Sequence, residues 1–113
     1  MAGVTISTVD GGFIQALPVN MGTAAANVLV AALAANRNRV YKLVVVSAAA
    51  QTVQFQDGAT NLTGPIPLTT GVPLVLPMDG QPWLTSSIGN ALNITQSSAV
   101  NLSGGVWFSQ NPL

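Results

Sequence analysis

The sequence predicts an all-β protein: a single-domain β-sandwich, jelly-roll-like, with an extended N-terminal arm. Three observations carry that expectation. Apolar and polar residues alternate with a period of two at residues 51–56 and 91–96. Gly, Pro and Asn interrupt the chain between short apolar runs. No stretch sustains one apolar helical face. At 113 residues the chain is long enough for one buried core.

The elements follow in chain order. Residues 1–25 contain Gly11-Gly12 and Pro18 and show no strand pattern, so they are read as the arm, with residues 26–113 as the sandwich. Residues 21–35, MGTAAANVLVAALAA, have the Ala content of a helix but apolar residues all round it. Val28-Leu29-Val30 favours a strand, expected over 27–33. RVYKLVVV, residues 39–46, is β-branched and aromatic and reads as a central strand. In QTVQFQ, residues 51–56, Val53 and Phe55 share one face, and Asp57-Gly58 follows as a hairpin turn. Prolines 65, 67, 73 and 77 confine the next segment to edge strands, because proline lacks a ladder donor. ALNITQ, residues 91–96, places Leu92 and Ile94 together. The last strand spans residues 100–108, where Gly104-Gly105 implies a bulge or a close backbone approach. About eight strands with frequent turns fit a sandwich or jelly roll.

Composition limits the function classes. Charged residues make up 5% of the chain, against about 25% in a typical soluble domain. A free surface this poor in charge implies cover by partners. The net charge is zero, with no field for holding nucleic acid. Cysteine is absent, which removes disulfides and thiolate metal sites. The N-terminal residues lack the basic and apolar regions of a secretory signal. The apolar stretch at residues 24–35 is shorter than the roughly 20 residues of a membrane helix, so no membrane association is expected.

Catalytic groups are scarce. The chain has no His and no Glu, and its acids, Asp10, Asp57 and Asp79, each precede a glycine. Turn chemistry accounts for all three. Their wide separation gives no calcium-loop spacing. No enzyme activity, catalytic residue, metal or cofactor is therefore expected. The sequons at Asn61, Asn93 and Asn101 fit chance in a chain rich in Asn, Ser and Thr.

The candidate functional residues are interfacial. Arg37, Arg39 and Lys42 hold all the basic charge. They read either as a solvated strand end or as a contact for an acidic partner. Trp107 and Phe108 are adjacent on a strand, so one of them must leave the core. Trp83 reads as a plug over one end of the sandwich, a subunit contact or a sugar-stacking platform. Phe13 belongs to the proposed arm. These seven residues are the expected interface.

From Val40 to Phe108 the order of elements resembles small virion proteins of tailed bacteriophages. RVYKLVVVSAAAQTVQFQDGATNLTGPIPL is similar to their strand and hairpin pattern. GVPLVLPMDGQPWLTSSIGNALNITQSSAVNLSGG is similar to their Leu-Pro loop, aromatic step and closing strands. The resemblance implies a jelly-roll cement or decoration protein, a structural protein of the virion. It would be made in the host bacterial cytoplasm, bind the major capsid protein on the outer capsid surface, and act as a homotrimer, with a dimer as the alternative. A tail, fibre or baseplate module binding host carbohydrate is the competing reading. Far-UV circular dichroism tests the fold class: a β spectrum is expected, and a strong helical double minimum would defeat it.

Overall fold

A computed structural model describes residues 6–7 and 13–112, and among these it contains strands and no helix. The strands are β1 (Ile6–Ser7), β2 (Phe13–Met21), β3 (Ala25–Val30), β4 (Arg37–Ser47), β5 (Gln51–Asp57) and β6 (Thr60–Asn61). They continue with β7 (Ile66–Leu68), β8 (Leu74–Leu76), β9 (Leu84–Thr85), β10 (Leu92–Gln96) and β11 (Leu102–Asn111). One sheet runs β1-β2-β11-β4-β8, with β9 also on β4. The other runs β3-β10-β5-β6, with β7 also on β5. All the pairings are antiparallel. The protein is an all-β sandwich. Among the described residues no helix is long and apolar enough to cross a membrane.

The core lies between the sheets. Val40, Leu43, Val45, Leu102, Val106 and Phe108 from one meet Val53, Phe55, Leu92 and Ile94 from the other. Full burial of such side chains stabilises the fold by about 1.5–3 kcal/mol each, relative to exposure. Between β4 and β11 the register shifts: Trp107 pairs with Lys42 and Phe108 with Val40, leaving Tyr41 as the extra residue. This bulge explains why Val40 and Tyr41 are both buried although adjacent. Asn38 and Val40 precede it on the inner face; Leu43 and Val45 follow it on the same face.

The central strands and the period-two segments form where expected, and the proline-rich segment supplies edge strands β7 and β8. Other expectations are corrected. Residues 13–21 are not an arm: they form β2, paired with β11 from Met21↔Leu102 to Gln15↔Phe108. Pro18 sits opposite Gly105 in that ladder, on the strand next to the β1 edge of the sheet. The Asp10 turn and Gly11-Gly12 lie outside the described residues. The strand expected at 27–33 is shifted to Ala25–Val30. It stops there because the Asn38 side-chain amide, not a strand, takes the carbonyls of Val30 and Ala31.

The glycine pair has two separate purposes. Gly104 has φ 152°, and a Cβ there would stand 1.8 Å from the Val44 carbonyl oxygen. It is the expected close backbone approach. A Cβ on Gly105 would meet the Trp107 ring at 3.0 Å, so Gly105 is the seat on which the indole lies. Gly104→Ala is expected to cost about 3 kcal/mol or more, since a backbone contact must open in the main ladder. Gly105→Ala should cost about 1 kcal/mol, because a side chain can give way. Chemical denaturation of both variants checks the order; equal losses would contradict the assignment.

Candidate functional site

The basic residues occupy the outer face of the β2-β11-β4-β8 sheet. Asn38 and Val40 point inward, so Arg37 and Arg39 point outward by alternation. The Tyr41 bulge restores Lys42 to the same outer face. Its ammonium lies 4.7 Å from the centre of the Trp107 ring, a cation–π contact. Arg39 Nη1 donates to Asn111 Oδ1 at 2.7 Å. The three cations are half-buried rather than extended into solvent.

The aromatic candidates separate. Phe108 is 3% exposed and belongs to the core, which removes it from the interface set. Trp107 is the member of the pair that leaves the core; its ring is held between Gly105 and Lys42. Trp83 is 43% exposed and is not a buried plug. Its indole N–H donates to the Pro77 carbonyl at 2.7 Å, and its backbone N–H to the Val40 carbonyl at 2.7 Å. Both donors are satisfied, so the ring is fixed in orientation with one surface open. Phe13 is 59% exposed at the far side of the same sheet, on β2. The structure thus gathers Arg37, Arg39, Lys42, Trp83 and Trp107 on or beside one face; Phe13 is not among them, because alternation along β2 puts it on the side of Gln15 and Val19, which pair with Phe108 and Gly104 of β11.

At one end of the sandwich is a polar cluster whose extent the sequence did not disclose. Asp57 does not serve its own turn. Its carboxylate accepts from Ser87 N–H at 3.0 Å, Ser87 Oγ at 2.7 Å and Asn90 Nδ2 at 3.0 Å. The turn is instead made by Gly58, which takes φ 58° at the first central position of the β5–β6 hairpin. Partial burial pushes the Asp57 carboxyl up, but the hydrogen bonds from Ser87 and Asn90 and the nearby Arg37 charge outweigh it and hold the group below 3.8. Asn38, fully buried, donates to the carbonyls of Ala31 and Asn90 at 3.1 and 3.2 Å, and its backbone N–H meets Ser86 Oγ. Asp79 does act locally, accepting from Gln81 N–H at 3.1 Å.

This cluster fastens the loop of Ser86, Ser87 and Asn90 to the ends of β4 and β5. Among the described residues no three of His, Cys, Asp or Glu come together. No family model matches the chain, and neither a curated protein nor a solved structure matches it.

The Asp57 contacts generate a pH dependence. The carboxyl is held below its unfolded value, so its contribution is fully present above pH 3.8 and is lost as pH falls through the lower folded value. Asp57→Ala should cost about 1–2 kcal/mol at pH 7 through lost charge-assisted hydrogen bonds. It should also flatten the loss of stability between pH 5 and pH 2. Urea midpoints at several pH values check both; an unchanged acid slope in the variant would assign that slope elsewhere.

Proposed function

We propose that this chain is a non-enzymatic structural protein of a tailed-phage virion that binds the outer capsid surface and stabilises it. The observation that carries this reading is the surface. Three acids and three bases are the only charges in 113 residues, while Phe13, Leu17, Val28, Val72, Val75 and Trp83 are all exposed. Permanent interfaces are more apolar than transient ones, and such a surface suits them.

The winding supports the jelly-roll form of the sandwich. β2-β11-β4-β8 faces β3-β10-β5-β7, and the chain passes repeatedly from one sheet to the other. That winding fits the double Greek key of a jelly roll, an architecture found in viral capsid and lectin domains. The partners are the major capsid protein and further copies of this chain. A trimer fits threefold positions on an icosahedral shell, and a dimer would fit twofold positions.

The second reading, a tail or fibre module binding host carbohydrate, is favoured by Trp83 alone. Its open ring surface and satisfied N–H suit stacking against a sugar.

Mixing the purified chain with expanded shells of the phage's major capsid protein distinguishes the readings. Saturable co-sedimentation and a raised temperature of shell disruption are expected, with light scattering of the free chain giving a closed oligomer. A strict monomer at tens of micromolar that fails to sediment with shells, and whose Trp fluorescence responds to host glycans, would replace the first reading with the second.

A further inference from the structure

The two outer faces of the sandwich are chemically unlike. On the β3-β10-β5 sheet the outward residues of β5 and β10 include Gln54, Gln56, Asn93 and Thr95, and these four are engaged within the chain. Thr95 Oγ1 donates to Gln56 Oε1 at 2.7 Å, Gln56 Nε2 to Asn61 Oδ1 at 2.9 Å, Gln54 Nε2 to the Thr63 carbonyl at 2.8 Å, and Asn93 Nδ2 to the Gly58 carbonyl at 2.9 Å. These side chains already bond within the chain, so the face has few free polar groups to offer a partner, and its exposed apolar side chain, Val28, stands on the edge strand β3.

The opposite face departs from the usual polar exterior of a sandwich. Register places Pro18, Gly105, Val44 and Val75 side by side across β2, β11, β4 and β8. This row has no polar side chain, and Val75 is 47% exposed. Trp107 and Lys42 form the adjoining row, paired with each other. Because Gly105 has no side chain, the Trp107 ring lies down over it instead of standing up, which keeps the surface low. Neither row contains an acidic residue. Asp79, on the loop between β8 and β9, is engaged by Gln81 N–H.

Resting on the shell-binding reading, we infer that the Pro18–Gly105–Val44–Val75 row with Trp107 and Lys42 is the face that docks on the capsid, and that its occupant is a flat, apolar protein surface presenting a carboxylate to Lys42. Charge complementarity selects this occupant. A second copy of the same face would bring Lys42 no acid from either row, whereas a carboxylate on a partner gains the ammonium that Trp107 already positions. The apolar row supplies the contact area, and the cation sets the register.

The chain has no cysteine, so single thiols can report each face. Val75→Cys and Gln54→Cys are labelled with a maleimide, free and bound to expanded shells, after circular dichroism has verified each fold. Both thiols should react equally in the free protein. On shells, the Val75→Cys thiol should be protected at least tenfold and the Gln54→Cys thiol less than twofold. Lys42→Glu should weaken co-sedimentation at least tenfold, and Gln54→Glu less than twofold. Binding retained with the reverse protection pattern would overturn this face while leaving the shell-binding reading intact. Protection of the Val75→Cys thiol in the free protein, rising with concentration, would give the face to a second copy and overturn the assigned occupant. Loss of all co-sedimentation, even in the unaltered chain, would overturn both.

Discussion

The pairing of β4 with β11 is the constraint on which the rest of the sandwich depends. These are its longest strands, and their ladder runs from Leu102↔Ser47 to Asn111↔Arg37. Both contribute heavily to the core, and both carry the outward rows of the apolar face. Two local devices make the pairing work. Gly104 lets the backbones approach where any side chain would strike the Val44 carbonyl. The Tyr41 bulge re-phases β4, so that Asn38 and Val40 on one side of it and Leu43 and Val45 on the other all point inward. A strict alternation through Tyr41 would turn one half of the strand inside out.

Where most proteins would use charge, this one uses amides. Asn38 ties the end of β3 to β4 and the loop after β9. At the other end Gln96 donates to Gln51 Oε1 and the Val100 carbonyl, while Gln51 donates to Ser47 Oγ. An amide is both donor and acceptor and carries no net charge, so it enters a half-buried site without the desolvation cost of an ion. Asp57 is the exception, and it is met by three donors.

The sequence was most legible where the relevant signal is local. Alternation at residues 51–56 and 91–96 reflects one face buried and one exposed, and both segments are strands in register. Proline marks edges for a reason internal to its own backbone. Legibility failed where the partner is distant. β2 hides its pattern because Phe13 and Leu17 remain exposed, and its ladder partner begins some eighty residues further on, at Leu102. Asp57 precedes a glycine and so invites a turn reading, but its hydrogen-bond partners are Ser87 and Asn90. The bulge leaves no mark in a β-branched run such as RVYKLVVV. Among the candidate residues, adjacency correctly separated Trp107 from Phe108 but could not say which faced out; the register with Lys42 and Val40 decides it.

The position of β11 has a consequence for how the molecule is made. The last strand of the sandwich in chain order is inserted between β2 and β4, in the middle of its sheet rather than at an edge. Until residues 102–111 emerge, β2 and β4 face a vacant slot with unpaired backbone groups on both sides. The nascent chain therefore waits with an open apolar cleft, and closure is a single late event that joins segments far apart in sequence. Such non-local closure is slow and leaves the waiting state prone to capture by neighbouring chains. The interval between synthesis of β4 and arrival of β11 is therefore the vulnerable stage of folding.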